Sequence, residues 1–256
     1  MRDETKAASL IKQGVTISVG TYDDMKSLNN AMQNIETVLL IAGTDEKNRV
    51  RQHQNVVDVA RKARIQRIAY TSRALKDPST LVNRLMEGHF QTEEYIKASG
   101  LPHTLFRNVL YMDAIQQFVG GDAVFERGIY VPAGQGRVAL ALRSEMGEAI
   151  ANALAETGEG NITYQLTGYE SYSFYDVATA LTNLSGKLVT YTPAEPAAFE
   201  AQLIGRGLPD VVARRITGFI TDIANGQEDS ISPDLEKLLG RKPTALKIGL
   251  TVLYNL

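Results

Sequence analysis

Residues 37–43 read TVLLIAG, a continuous apolar run that stops at a glycine. A run without alternating inward and outward positions describes a strand buried on both faces, as in a parallel sheet covered by helices. The flanking segments agree. DDMKSLNNAMQN (23–34) opens with aspartates suited to capping and carries Met25, Leu28, Ala31 and Met32 on one helical face. Before it, VTISVG (15–20) is β-branched and bounded by glycine, a predicted strand. ETKAASLIKQ (4–13) spaces Ala7, Leu10 and Ile11 as a helix that Gly14 ends. In the other direction, 46–63 sets Val50, His53, Val56, Val57 and Ala60 at helical spacing. IQRIAYTS (65–72) reads as a strand, FQTEEYIKAS (90–99) as a helix ended by Gly100, and HTLFRN (103–108) as a strand.

The order is therefore α-β-α-β-α-β-α-β with short connections. It predicts right-handed βαβ units and an α/β fold, a doubly wound parallel sheet with helices on both faces. After about residue 115 the pattern changes. GGDAVFERGIYVPAGQGRVA (120–139) is rich in glycine and turns, with short strands. A helix over 145–157 precedes NITYQLTG (161–168), a strand able to return to the main sheet. SFYDVATALTNLSG (173–186) runs from a serine cap to a glycine, KLVTYTP (187–193) is a strand, and the remainder is helical. This tail is expected to form a smaller lobe, with the site in the cleft between the lobes, beyond the carboxyl ends of the strands.

Composition narrows the function. Among 256 residues, 27 Lys+Arg face 29 Asp+Glu, a net charge of −2, with 44% hydrophobic and 22% charged residues. This is ordinary globular composition, too balanced and too apolar for a disordered chain. There is no positive excess to neutralise phosphates, so no nucleic-acid partner is expected. With no cysteine, disulfides, thiol catalysis and Cys-based zinc sites are excluded, and His53, His89 and His103 make no metal-binding pattern. No apolar run approaches the roughly 20 residues of a membrane span. The opening MRDETKAASL lacks a secretory apolar region, so a cytoplasmic protein with no membrane partner is expected.

A doubly wound sheet invites a search for a phosphate-cradling loop. No two glycines stand three residues apart, so G-x-G-x-x-G cannot be written, and a Walker A motif is also missing. The lone Y-x-x-x-K, Tyr22/Lys26, straddles a strand end and a helix start. It cannot set both groups on one helical face, so Ser-Tyr-Lys chemistry is not encoded.

ETKAASLIKQGVTISVGTYDD, VLLIAGTDE, QHQNVVDVARKARIQRIAYTS, GHFQTEEYIKASGLPHTLFRNVLYMD and GRVALALRSEMGEAIANAL, taken together and in this order, resemble the NmrA-like family of atypical short-chain dehydrogenases/reductases. The likeness extends to its bacterial quinone- and triphenylmethane-reducing members. It implies a Rossmann-like NAD(P)-binding domain over 1–158 and a small C-terminal α+β substrate lobe over 159–256. Family members begin with a strand, a G-A-T-G-x-x-G loop, a helix and a second strand ending near Val-Arg. Met1-Arg2 stands where that second strand ends, so an N-terminally truncated Rossmann sheet is expected. Either an internal valine codon has been taken for the start, or the chain is shortened. Without the first, central strand, VTISVG must leave a gap or pair directly with 37–43.

The resemblance also assigns residues, each with a plainer alternative. Arg2 matches an arginine that meets the 2′-phosphate of NADP; the alternative is a solvated terminal charge. Tyr22 and Asp23 fall at the adenine end, where a turn and helix cap is equally open. Ala42, Gly43 and Thr44 fall where the family loop passes the ribose and nicotinamide, although a simple strand-ending turn also fits. Tyr70, Thr71 and Ser72 end the next strand at the cofactor edge. His89, with Thr92 and Glu93, lies on the helix that replaces the Tyr-x-x-x-Lys helix; it orients substrate or relays a proton, or is a surface histidine near Glu93. Asn108 and Tyr111 fall where members close the site over the nicotinamide; a loop tyrosine packed on the small lobe is the alternative. His53 and His103 read as structural.

The implied activity is hydride transfer from NADPH or NADH to a quinone-like or conjugated small-molecule acceptor. A non-catalytic, NAD(P)-sensing regulator is a second class, and a shortened product that binds no cofactor is a third. A homo-oligomer is left open.

Overall fold

The computed structural model describes residues 2–45, 47–156 and 160–256. Met1, Glu46 at the start of the helix expected over 46–63, Thr157 at the end of that expected over 145–157, and the 158/159 boundary lie outside them. The chain divides into two compact units. One comprises residues 1–72, 87–106 and 159–163, and the other 73–86, 107–158 and 164–256.

The first unit starts with a 3-10 turn, Glu4–Ala7, capped by the Asp3 carboxylate, and α1, Ala8–Lys12. Gly14 ends this segment at φ +82°, a conformation that glycine adopts without cost. α2, Met25–Ala31, is capped by Asp24, whose carboxylate accepts from the N–H groups of Lys26 and Ser27. β1, Thr37–Leu40, α3, Arg49–Lys62, β2, Arg67–Arg73, α4, Glu87–Ala98, and β3, His103–Asn108, follow in the expected alternation. α3 buries His53, Val56, Val57 and Ala60 of the stripe that its spacing predicted, and Val59 beside them, while Val50 is only partly buried. Gly88 lets α4 approach α3 closely, since a Cβ there would stand 2.8 Å from the Arg49 guanidinium. Leu40, Val57, Ile68, Tyr70, Ile96 and Leu105 belong to one buried core. Fully burying such a side chain contributes about 1.5–3 kcal/mol.

In the second unit, α5, Ile115–Val119, and α6, Val124–Arg127, precede the short strands β4, Ile129–Val131, and β5, Arg137–Val138. α7, Arg143–Ala155, β6, Ile162–Leu166, β7, Tyr172–Ser173, and α8, Phe174–Ser185, come next. A reciprocal capping box between Ser173 and Asp176 starts α8, and Gly186 at φ +71° ends it. β8, Tyr191–Pro193, then leads to α9, Pro196–Gly205, α10, Asp210–Ala224, α11, Asp234–Leu239, and α12, Leu246–Tyr254.

The main sheet has the order β1-β2-β3-β6, so the strand expected at 161–168 does return to it. β1 and β2 run parallel with Leu40 opposite Tyr70, which brings residues 41–45 and 71–72 to one end of the sheet. β4 pairs with β8 in parallel, and β5 with β7 antiparallel.

One expectation is corrected. Residues 15–20 form no strand, and β1 ends the hydrogen-bonded order of the sheet. VTISVG does not pair with 37–43, and the sheet is a continuous β1-β2-β3-β6 without it. β-Branched residues favour extended backbone, but a strand is made by a neighbour's hydrogen bonds. Val15 and Val19 accordingly remain 45% and 52% exposed. The strand expected from 187 is also shorter: β8 begins at Tyr191, and Leu188 ahead of it is 79% exposed.

Candidate functional site

Within the first unit, the carboxyl end of β1 opens into a cleft of about 580 Å³. Arg2, Thr21, Tyr22 and Asp23 line it together with Ala42, Gly43, Thr44 and Gln52. Six residues assigned from the sequence are thus gathered in one concavity. Tyr22 donates its phenol to the Ile41 carbonyl at 3.2 Å, and burial pushes its pKa above the ordinary value. Asp24, rather than Asp23, caps α2. Asp23 is instead held by Arg51 at 2.7 Å and by the Gln52 amide at 2.7 Å, so its charge is balanced inside the cleft wall.

The Ala42–Thr44 turn is fixed from behind. The Ala42 N–H donates to Thr71 Oγ1 at 2.9 Å, and the Gly43 N–H to His53 Nε2 at 3.0 Å. His53 Nδ1 lies 2.9 Å from Thr92 Oγ1, and the Thr92 hydroxyl donates to the Gly88 carbonyl at 2.8 Å. Burial, with the Arg49 cation adding to it, pulls the His53 pKa down to about 4, so the ring is neutral at pH 7.

Tyr70 is fully buried, and burial raises its pKa. Its hydroxyl stands 3.1 Å from His89 Nδ1, while His89 Nε2 stands 3.4 Å from Arg49 Nη1. His89 is therefore buried with both ring nitrogens near partners, not a surface histidine. Glu93 is buried too, with Lys97 Nζ at 3.8 Å. Ser72, at the end of β2, is 2% exposed and its hydroxyl has no hydrogen-bond partner.

In the second unit, Asn108 ends β3 at 2% exposure. Its amide nitrogen donates to the Tyr111 hydroxyl at 3.3 Å, and its Oδ1 is without a partner. The Arg143 guanidinium lies 5.8 Å from the Tyr111 ring centre. His103 stays with the framework: its Nδ1 bonds the Leu101 carbonyl at 3.0 Å, and its backbone N–H donates to Asn161. Arg49, Arg51 and Gln52 were not singled out from the sequence. The available signal was His53 itself, a polar residue within an apolar helical stripe, which must find hydrogen bonds when buried.

A mostly buried parallel sheet, with helices between its strands and a cleft beyond a strand's carboxyl end, defines a Rossmann-type α/β protein. The chain belongs to the NmrA-like family, whose profile matches residues 1–251. It is 34% identical over 256 residues to quinone oxidoreductase 2 of Escherichia coli K12, covering all of this chain and 88% of that protein. The crystal structure of the NADPH-dependent quinone oxidoreductase of Escherichia coli complexed with NADPH superposes with a TM-score of 0.92 at 32% identity, over 99% of this chain and 89% of that one. Triphenylmethane reductase of a Citrobacter species gives 0.90 at 32% identity, over 100% and 88%. Among the described residues there is no metal-binding cluster and no helix long and apolar enough to cross a membrane.

Proposed function

We propose that this protein is a reductase that uses NADPH to reduce a quinone-like or conjugated small molecule. The observation that carries the reading is the cleft, where a cation and a charge-balanced carboxylate stand beside the Ala42–Thr44 turn. Arg2 suits a 2′-phosphate, because a guanidinium pairs with that dianion through two donors. Asp23 does not oppose it, since Arg51 and Gln52 already occupy its two oxygens. With its charge balanced in this way, Asp23 does not repel a 2′-phosphate, which is compatible with NADPH.

The residues present fit the two ends of the dinucleotide. Tyr22 and Asp23 form the adenosine end, and Ala42, Gly43 and Thr44 the path toward the nicotinamide. The buried, unmatched Ser72 hydroxyl and Asn108 carbonyl are polar groups able to take a carboxamide or an acceptor. For the pyrophosphate, these 256 residues hold no glycine loop. Bound NADPH supplies a hydride donor. The protein's part is to hold a flat acceptor against it and exclude water. Tyr111, in the second unit, carries a phenol steadied by Asn108, a group suited to an acceptor oxygen. His89 acts through Tyr70 and Arg49 rather than by direct contact. A reduced quinone takes its proton from water, so a Ser-Tyr-Lys set is not required.

The test is a fluorescence titration with NADPH followed by NADPH oxidation over a panel of small quinones. Saturable binding with quinone-dependent oxidation is expected. Binding without oxidation for every acceptor would favour the sensing regulator, and failure to bind would reject both.

A further inference from the structure

We infer that His53 is a positioning residue that sets the Ala42–Thr44 turn in the shape the dinucleotide meets, by accepting the Gly43 N–H on one ring nitrogen while the other is anchored on Thr92. The inference rests on the reading of the cleft as an NADPH site.

The hydrogen bonds admit one assignment. A backbone N–H can only donate, so the His53 Nε2 at 3.0 Å from Gly43 must carry a lone pair. The ring proton then sits on Nδ1 and is donated to Thr92 Oγ1 at 2.9 Å. The Thr92 hydroxyl passes its own proton to the Gly88 carbonyl at 2.8 Å. Each donor in the relay has one acceptor, and reversing the tautomer would set two N–H groups against each other at Gly43.

Packing holds the imidazole in that orientation. It is fully buried, with the Tyr70 ring edge-on at 5.4 Å and the Tyr22 ring at 6.4 Å. Steric room does not fix the turn. A Cβ at Gly43 would meet its nearest atoms, Gln52 Oε1 and His53 Nε2, at 3.7 Å, an ordinary contact. The turn is therefore held by hydrogen bonds: Thr71 takes the Ala42 N–H and His53 the next one. Removing the imidazole leaves a partly buried donor without its acceptor at the wall of the cleft.

The test compares wild type, His53→Leu, His53→Gln and Thr92→Val. Three quantities are measured: exchange of the Gly43 amide by NMR, NADPH affinity by fluorescence, and folding by thermal melting. In His53→Leu the Gly43 amide is expected to exchange about 10-fold faster and NADPH to bind about 10-fold more weakly, the scale of one lost buried hydrogen bond. The loss should fall on the KM for NADPH, with kcat nearly unchanged. His53→Gln, whose amide oxygen can reach the place of Nε2, should recover most of both effects. Thr92→Val keeps the ring but frees it to turn, and should shift both readouts in the same direction by less. It carries the test if His53→Leu does not fold. An unchanged Gly43 amide in folded His53→Leu or Thr92→Val overturns the relay whether or not cofactor binds. Faster exchange with unchanged NADPH affinity overturns the positioning role. A wild type that does not bind NADPH rejects the cofactor reading and takes the positioning role with it, while the amide data still report on the relay.

Discussion

Two buried polar assemblies hold the loops of this protein, and they are built from different chemistry. In the first unit, the turn after β1 is held by an imidazole and hydroxyls: His53, Thr71 and Thr92. In the second, the segment between β2 and α4 is held by charged and amide groups. Asp222 accepts from the N–H groups of Val82 and Asn83 at 2.7 and 2.9 Å, and Gln227 bonds Asp77 and Thr80. Glu228 pairs with Arg73 and accepts from the Leu110 N–H. The neutral assembly stands behind the Ala42–Thr44 wall of the cleft, and a single hydrogen bond lost from it costs about 1 kcal/mol. The charged one pays heavily for any partner removed, because a buried charge left alone cannot recover its solvation.

The contrast is broken most directly at Glu228. Glu228→Ala strands the Arg73 guanidinium and the Leu110 N–H, and is expected to lower unfolding stability by about 3–5 kcal/mol in urea titrations. A loss below about 1 kcal/mol would mean the two assemblies do not differ as described.

Acid should separate them next. His53 has a pKa of about 4 in the fold against the usual 6.5, set by burial and by Arg49, with the Tyr22 and Tyr70 phenols facing the ring. Its contribution is complete above pH 6.5 and is lost as the pH falls toward 4, since the unfolded chain then binds a proton that the fold refuses. The full window corresponds to about 3 kcal/mol. Burial outweighs Arg73 and raises the Glu228 pKa, so Glu228 runs the other way, its contribution being lost as pH rises through the folded value. Stability curves from pH 7 to 4 should slope downward in wild type and flatten in His53→Leu. A flat wild-type curve contradicts the assignment.

The smallest effect is expected at Thr71. Thr71→Val removes the acceptor for the Ala42 N–H at nearly constant volume, and should cost about 1 kcal/mol in the same titrations. A cost as large as that of Glu228→Ala would show that the cleft wall is not the more forgiving region.

Much of this was legible in the residues. TVLLIAG announced a strand but not its burial: β1 ends the sheet, only Leu40 of it is buried, and Ile41 beyond it is 59% exposed, because a run of apolar residues does not show which edge will lack a neighbour. Four of the five stripe positions of α3 are buried as their spacing predicts, because helical spacing is a local property. Arg2, Tyr22, Asp23 and Ala42–Thr44, which the family resemblance picks out of the sequence, share one cleft. VTISVG forms no strand because its composition carries only a preference for extended backbone, whereas a strand requires a partner. His53 reads as structural in the sequence and is fully buried in the fold, but a histidine's neighbours in sequence do not show what its ring nitrogens meet. Asp23 and Asp24 looked interchangeable as caps. Only the fold committed one to α2 and the other to Arg51 and Gln52.

By itself, the sequence determined the α/β alternation, the lack of thiol chemistry, the absence of a glycine loop from these 256 residues and the resemblance to the NmrA-like family. These follow from periodicity, composition and ordered motifs, which need no third dimension. The tertiary structure decided the tautomer of His53, the partners of Asp23, the enclosure of His89 and the unmatched buried oxygens of Ser72 and Asn108. Each depends on groups far apart in the chain meeting in a dry interior, where one ångström and one proton decide whether a polar atom is satisfied.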